Sequence, residues 1–185
     1  MRSLVIPFLL LASLPIDQNP QSQPASRPDS KPALPKVAAK VGALELQVPA
    51  EWRSIVVKSP MRKAQWALPA AAGAADADLT VFHFGAQAGS LEANLNRWKG
   101  QFEQVPADNA QTSTIPRKDQ SPITVLEVAG TYVAERAPGS GDRFHEKDWR
   151  LLAAVVETKD GALYFKLVGP AATVTKWKAA FLAMF

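Results

Sequence analysis

The chain of 185 residues is long enough for one domain with a sizeable core and hardly long enough for two. It contains no cysteine, which excludes disulfide bonds, thiolate metal sites and a cysteine nucleophile. The net charge is +4, but residues 44–185 hold 16 Lys plus Arg against 15 Asp plus Glu, and this near neutrality argues against a nucleic-acid partner, which requires a basic stripe.

The N-terminal residues predict export. Arg2 supplies a positive charge, and the apolar run LVIPFLLLASLPI follows from Leu4 to Ile16. This is the pattern of a secretory signal peptide. The run is shorter than the roughly 20 apolar residues that cross a bilayer, and Pro7 and Pro15 interrupt it, so we expect no stable membrane span. The sequence therefore predicts a periplasmic or extracellular protein, although it does not define the cleavage site.

Three parts are predicted along the chain: a signal peptide over residues 1–16, a tether over residues 17–40 and a single folded domain over residues 41–185. The tether begins with DQNPQSQPASRPDSKPALPK, which is rich in Pro, Ser and Gln and nearly free of large apolar side chains. Such a composition buries too little surface to offset the entropy of ordering. We expect the tether to be disordered and to act as a spacer.

The first half of the domain predicts antiparallel strands. The segments LELQV (44–48), SIVVK (54–58) and RKAQWAL (62–68) read as successive strands, of which the first and third alternate apolar and polar residues. Alanine-rich PAAAGAADAD (69–78) lacks large apolar residues and is bounded by Pro and Asp, which predicts a loop. LTVFHF (79–84) is apolar at nearly every position, which predicts a strand buried on both faces near the sheet centre.

A helix is predicted next, over LEANLNRWKGQFEQ (91–104). Ser90 is its predicted N-cap residue. The helix carries an apolar stripe at helical spacing, formed by Leu91, Leu95, Trp98 and Phe102.

The second half of the domain predicts a hairpin and a second helix. ITVLEVAGTYVAE (123–135) reads as a long strand with a bend or bulge at Gly130. A loop over residues 136–148 separates it from the strand WRLLAAVVET (149–158), and an Asp-Gly turn leads to the returning strand ALYFKLVG. The second helix has its own apolar stripe, formed by Val174, Trp177, Phe181 and Met184.

This order of elements predicts an α+β fold with a mostly antiparallel sheet and two packed helices. The segments MRKAQWALP, LTVFHFG, LEANLNRWKGQFEQ and YFKLVGPAATVTKWKAAF resemble those of a group of uncharacterised bacterial secreted proteins. The order of strands and helices is similar to the PsbP-like fold, named for an extrinsic subunit of photosystem II, which implies an α/β/α arrangement around an antiparallel sheet. The resemblance implies no catalytic residues, because the group has no assigned active site.

No catalytic residue, metal site or cofactor is predicted. Gly139-Ser140-Gly141 does not match the Gly-x-Ser-x-Gly of a nucleophile elbow, and GAQAGS before the first helix lacks the lysine of a P-loop. The two histidines form no metal-binding motif. Residues 142–148, DRFHEKD, gather three carboxylates and a histidine, which we interpret as a solvated charged loop.

A binding surface is predicted beside the 136–148 loop, because long loops in compact domains often carry function. His83 interrupts an apolar strand, and it is either a hydrogen-bonded core or edge histidine or a polar group aimed into a pocket. The candidate residues for binding a ligand or partner are Arg62, Lys63, His83, Tyr132, Phe144, His145, Trp149 and Arg150.

These observations lead to three hypotheses about function. The preferred hypothesis is an exported, non-enzymatic domain that binds an unidentified envelope protein or a small ligand, with Phe144 and Arg150 on the binding face. The alternative is an envelope hydrolase or metal-assisted enzyme that uses His145 with Glu146 or Asp148. A structural accessory subunit of PsbP type is the third. The missing nucleophile and metal motifs favour binding, but carboxylates paired from distant parts of the sequence stay open.

Overall fold

A computed structural model describes residues 34–103, 109–118 and 120–185. The predicted signal peptide and residues 17–33 of the predicted tether lie outside the described residues. Residues Leu34–Phe185 belong to one compact unit. None of the helices in the described residues has the length and apolar character needed to cross a membrane.

The described residues form an α+β fold, as the sequence predicts. The strands are β1 (Lys36–Val41), β2 (Leu44–Pro49), β3 (Arg53–Ser54), β4 (Arg62–Leu68), β5 (Ala77–Phe82), β6 (Phe102–Glu103), β7 (Ala110–Arg117), β8 (Gln120–Tyr132), β9 (Glu146–Val156) and β10 (Leu163–Pro170). The helices are α1 (Leu91–Lys99) and α2 (Ala171–Leu182), with a short 3-10 helix at Gly85–Gln87.

Eight of these strands form one antiparallel sheet. Its order is β3-β4-β5-β10-β9-β8-β6, and β7 also pairs with β8. Strands β1 and β2 form a separate antiparallel hairpin. The apolar segment predicted to lie near the sheet centre is β5, which has β4 on one side and β10 on the other. That prediction is confirmed.

The two helices pack on opposite faces of the sheet. Residues that alternate along β9 belong to two different cores: Leu152 packs in the core that contains Trp177 of α2, and Leu151 packs in the core that contains Trp98 of α1. Successive side chains of a strand point to opposite faces. We call these two surfaces the α2 face and the α1 face.

Helix α2 confirms three residues of its predicted apolar stripe, Val174, Trp177 and Phe181, which are buried in the α2 core. Met184 is buried there too, but it lies beyond the end of the helix at Leu182. Five hydrogen bonds also attach the helix to the alanine-rich loop, two of them from Lys176 Nζ to the backbone oxygens of Pro69 and Ala70. Thr173 Oγ1 accepts from Ala71 N (3.1 Å) and donates to Ala75 O (2.7 Å), and Trp177 Nε1 donates to Pro69 O (2.8 Å). The loop's backbone groups therefore bond to α2 instead of forming a helix of their own.

Helix α1 confirms its predicted N-cap, because Ser90 Oγ accepts a hydrogen bond from Ala93 N (3.1 Å). Its predicted stripe is partly wrong. The helix ends at Lys99, so Phe102 lies in β6, and the Leu91 side chain is 40% exposed. Asn94 is buried instead, because its side-chain amide nitrogen donates to Ala88 O (2.7 Å) and Ser90 O (2.9 Å) where the helix begins.

Several strand boundaries differ from the sequence prediction: β5, β8 and β9 each begin and end two or three residues earlier than predicted, and two other segments differ more. Residues 36–40, assigned to the tether, form most of β1, whose Val41 is buried. The short Ala and Val side chains of this segment pair across the hairpin with β2. In contrast, only Ser54 of the predicted strand SIVVK (54–58) belongs to β3, and Val56 is 87% exposed.

The predicted irregularity at Gly130 is confirmed as a register shift between β8 and β9. The pairs Gly130 with Trp149 and Tyr132 with Glu146 show that the extra residue belongs to β9. Asp148 lies there with a φ of 54°, in the left-handed region that Asp tolerates better than most residues. The bulge lies next to Trp149 at the start of β9.

Candidate ligand-binding pocket

Four of the eight predicted site residues line one pocket on the α1 face. They are Arg62, Tyr132, Phe144 and Trp149, and the pocket has a volume of about 340 Å³. This is near the lower end of the range of about 300–1,000 Å³ found for small-molecule sites. The remaining lining residues are Gln65, Asp76, Asp78, Thr80, Phe82, Glu135, Arg136, Lys166 and Val168.

A row of polar residues crosses three strands at the floor of the pocket. Gln65 of β4 pairs with Thr80 of β5, and Thr80 pairs with Lys166 of β10. Directly paired residues point to the same face, so the register alone brings these three side chains together. Asp78 lies two residues before Thr80 in β5, so its side chain points to the same face as the row.

Three aromatic rings form one wall of the pocket. Tyr132 stacks on Trp149 with ring centroids 5.3 Å apart and an angle of 11° between the planes. Phe144 lies 5.4 Å from the Tyr132 centroid and 6.0 Å from the Trp149 centroid. The Arg136 guanidinium lies 4.2 Å from the Phe144 centroid. We call Tyr132, Phe144 and Trp149 the aromatic trio.

Lys166 is half-buried beside this trio. Its Nζ donates a hydrogen bond to Tyr132 Oη (3.0 Å) and lies 5.3 Å from the centroid of the Tyr132 ring. In the part of the chain that the structure describes, no carboxylate oxygen lies within 4.0 Å of this ammonium. Burial lowers the pKa of Lys166 to about 8, although the charge of Asp78 acts in the opposite direction.

The carboxylate of Asp78 is held by its neighbours. Its Oδ2 accepts a hydrogen bond from Gln65 Nε2 (2.5 Å) and its Oδ1 accepts one from Thr80 Oγ1 (2.5 Å). Asp76 is also engaged, because it accepts from Ala70 N (2.8 Å) and pairs with Arg53. Those two contacts lower the pKa of Asp76. The acidic side chains on this side of the pocket are therefore occupied, and the Lys166 ammonium is not paired with one.

Tyr132 keeps its proton over the physiological range. Burial raises the pKa of its hydroxyl to about 12, and the charge of Asp78 adds to the effect. The hydroxyl thus stays neutral beside Lys166, and it accepts the ammonium's hydrogen bond without supplying a countercharge.

Arg150 does not belong to this pocket, which corrects its assignment to one binding face with Phe144. It follows Trp149 along β9, so its side chain points to the opposite face. There Arg150 donates to Glu127 (2.6 Å), which also accepts from Lys178 of α2 (2.5 Å). Arg150 thus contributes to a charged cluster on the α2 face.

The remaining predicted residues lie elsewhere. His145 is 66% exposed and pairs with Glu103 at 3.6 Å. His83 Nε2 lies 2.8 Å from the backbone oxygen of Asp160, so it is a hydrogen-bonded histidine that contacts the β9-β10 turn. Lys63 is exposed, and its Nζ donates to Pro60 O (3.1 Å). His83 and Lys63 both line a separate space of about 70 Å³.

Several ion pairs connect residues within and next to the 136–148 loop. Arg136 lies 3.5 Å from the carboxylate of Asp142 and 3.9 Å from that of Glu146. Arg143 lies 3.9 Å from the carboxylate of Glu135. Residues 34–103, 109–118 and 120–185 contain no group of three or more His, Asp or Glu side chains that could hold a metal ion.

Sequence reasoning missed Lys166, the residue at the floor of the pocket. The signal was present, because Lys166 is the single charged residue in ALYFKLVG. A charge inside an otherwise apolar strand is costly unless it is paired or functional. Gln65, Asp78 and Thr80 gave no comparable signal, because their meeting depends on the register of strands that are distant in sequence.

No protein-family model matches this chain, and no curated protein matches it. Among solved structures, the chain is similar to PA94 of Pseudomonas aeruginosa, a protein of unknown function. The two are 16% identical, and the match covers 80% of this chain and 92% of that chain with a TM-score of 0.38. A likeness at this level assigns neither a family nor a function, and the PsbP-like resemblance stays a prediction.

Proposed function

We propose that this protein is an exported, non-enzymatic domain that binds a small organic anion with an aromatic body in the pocket of the α1 face. The observation that carries the proposal is the half-buried Lys166 ammonium, which lies beside the aromatic trio and has no carboxylate oxygen of the described residues within 4.0 Å. The signal-peptide pattern of residues 1–16 supports the exported location.

The energetics of the floor favour an anionic ligand. A half-buried ammonium that is not directly paired with a carboxylate is costly, and the charge of Asp78 offsets only part of that cost. An incoming carboxylate would remove much of the remainder. Charge-assisted hydrogen bonds between an ammonium and a carboxylate are roughly twice as strong as neutral ones. Arg62 at the edge of the pocket is exposed, and its positive charge adds to the attraction.

The aromatic trio favours a flat apolar body on the ligand. Phe144 and Trp149 are partly exposed, so they present ring surface to the pocket. Offset-stacked and edge-to-face contacts between aromatic rings contribute about 0.5–1.5 kcal/mol beyond the area that they bury. Benzoate combines a ring with a carboxylate and is the simplest probe of such a site.

A titration with benzoate tests this proposal. The expected result is saturable binding, followed by NMR shifts of the Trp149 indole and of the Thr80 amide. Benzamide has the same ring without the charge, and we expect it to bind at least about tenfold more weakly, the equivalent of 1.4 kcal/mol.

Two lysine variants complete the test. Lys166→Met keeps a side chain of similar length without the charge, and we expect it to abolish benzoate binding. Lys118→Met is the matched control, because Lys118 is exposed and lies in the β7-β8 turn. Equal binding of benzamide and benzoate, or full binding by Lys166→Met, would contradict the proposal.

The enzyme alternative on the 136–148 loop has weaker support. His145 contacts Glu103, which lies outside that loop, and the loop's carboxylates Asp142 and Glu146 face Arg136. These contacts are those of a charged surface loop. A hydrolase that used His145 would lose its activity in a His145→Ala variant, whereas benzoate binding would not change.

A further inference from the structure

We propose that Lys166 also captures aromatic aldehydes, by forming a reversible imine between its Nζ and the aldehyde carbon. This inference rests on the proposed function, because it uses the same pocket and assumes that the pocket admits an aromatic ligand. It adds a second ligand class, carbonyl compounds, and a covalent step.

The surroundings of Lys166 suit an amine nucleophile. Lys166 is one of the residues that line the pocket, and its Nζ is hydrogen-bonded to Tyr132 Oη (3.0 Å) with no ion pair to any of the described carboxylates. A carboxylate bound to the amine would keep it protonated, and a protonated amine has no lone pair with which to attack. Desolvation beside aromatic rings is a recurring way to activate lysine, and burial here lowers the pKa of Lys166 to about 8.

The reaction needs no other reagent. The lone pair of the neutral Nζ attacks the carbonyl carbon, a C–N bond forms, and a proton passes from nitrogen to oxygen to give a carbinolamine. The C–O bond then breaks, and the oxygen leaves as water with the second proton from nitrogen. One amine and one aldehyde thus give one imine and one water, with no change of oxidation state.

Tyr132 is the group placed to move these protons. Its hydroxyl lies 3.0 Å from Nζ and therefore beside the carbon that would become bonded to Nζ. Because burial raises the pKa of Tyr132 to about 12, the hydroxyl is protonated at neutral pH and is able to donate to the departing oxygen. It recovers a proton from the nitrogen, so its own charge is unchanged over the cycle.

The test uses benzaldehyde, the carbonyl counterpart of benzoate. The purified chain is incubated with limiting benzaldehyde at pH 7, reduced with cyanoborohydride and analysed by intact mass and peptide mapping. The expected product carries the mass of one benzaldehyde less one water plus two hydrogens, located on Lys166. We expect Lys166 to hold on the order of tenfold more adduct than any exposed lysine.

Three variants make the assignment specific. Lys166→Met should lose the adduct, and Lys118→Met should keep it. Lys166→Arg retains a positive charge without a nucleophilic amine, so it should form no adduct. Tyr132→Phe retains the stacked ring without the hydroxyl, and we expect its adduct to form on the order of 10–100-fold more slowly.

The outcomes separate the two proposals. Adduct spread evenly over exposed lysines, or unchanged in Lys166→Met, overturns the imine. If benzoate binds under the same conditions while Lys166 stays unmodified, the imine fails and the anion site stands. If neither ligand engages Lys166, both proposals fail. Slower labelling in the presence of excess benzoate supports both, because the two ligands then compete for one pocket.

Discussion

Lys166 carries a cost in stability at the position where we propose that a ligand binds. Its ammonium lies half-buried in the sheet face, where replacement by an apolar side chain of similar length removes a desolvation cost. The groups that face it are Tyr132 from β8, Asp78 from β5 and Arg97 from α1. Asp78 stabilises the charged form of Lys166, and Arg97 destabilises it.

We predict that Lys166→Met raises the free energy of unfolding at pH 7 by about 1–2 kcal/mol. The lowered pKa corresponds to a cost of up to about 3 kcal/mol, and loss of the bond to Tyr132 offsets about 1 kcal/mol. Urea denaturation of the two proteins at pH 7 measures the difference, with Lys118→Met as the control that should match the parent chain.

The pH dependence of that difference has a definite sign. Between pH 8 and pH 10.5 the unfolded lysine holds a proton that the folded lysine has lost, so this group makes the parent chain more stable as pH rises. The difference in the free energy of unfolding between Lys166→Met and the parent chain should therefore shrink between pH 7 and pH 9.5. A gap that stays constant over this range would contradict a lowered pKa at Lys166.

Benzoate binding should follow the same titration. Because only the ammonium form attracts the carboxylate, we expect affinity to be constant below about pH 7 and to fall about tenfold per pH unit once pH exceeds the pKa of about 8. Isothermal titration calorimetry from pH 6 to pH 9.5 measures it. Affinity independent of pH would show that the carboxylate is bound by another group, such as Arg62.

At the scale of elements, α1 shows how a polar network displaces an apolar stripe. Leu91 fits the helical spacing but is exposed, whereas Asn94 is 3% exposed and also accepts a hydrogen bond from the Arg97 guanidinium (2.7 Å). The spacing rule assumes that the helix packs along its whole length. In a helix of nine residues, the groups at its N-terminus decide which side is buried.

We therefore predict opposite effects from two substitutions in α1. Asn94→Ala should lower the free energy of unfolding by about 2 kcal/mol, because it removes buried hydrogen bonds to Ala88 and Ser90. Leu91→Ala should change it by less than about 0.5 kcal/mol, since the side chain is exposed. Thermal and urea denaturation measure both changes. A larger loss of unfolding free energy in Leu91→Ala would support the apolar stripe predicted from sequence.

The alternation of apolar and polar residues, together with the turn residues, predicted most of the strands. They identified β2, β4 and β5 and the β9-β10 hairpin, because each of these has a buried face and a turn that the residues themselves define. They failed at SIVVK, whose apolar residues leave the sheet after Ser54, and at β1, whose short side chains resemble a linker. In both cases the outcome depends on which neighbour is available for pairing, and composition does not contain that information.

At the scale of the whole molecule, the two faces of the sheet separate two chemistries. The α1 face carries the pocket with Lys166, and the α2 face carries the cluster of Glu127, Arg150 and Lys178. Sequence reasoning found Phe144 and Trp149 because they border a long loop, and it found Arg62 and Tyr132 on two predicted strands. It grouped Arg150 with them because neighbours in sequence were taken as neighbours in space, although a strand places them on opposite sides.

This separation predicts that Phe144→Ala and Arg150→Ala differ in their effect on binding. Phe144→Ala removes a ring of the aromatic trio, and we expect benzoate affinity to fall about fivefold, or roughly 1 kcal/mol. Arg150→Ala should leave the affinity within about twofold, because the opposite face does not touch the ligand. A large loss of binding in Arg150→Ala would contradict the location of the site on the α1 face.

The bonds between α2 and the alanine-rich loop also bear on how the chain folds. Thr173 and Trp177 bond to residues about one hundred positions earlier, so the α2 core closes only when distant parts of the chain meet. Such long-range contacts slow folding, because the entropy of loop closure must be lost before they form. During synthesis, the α2 core therefore stays incomplete until α2 has been made and can bond to residues 69–75.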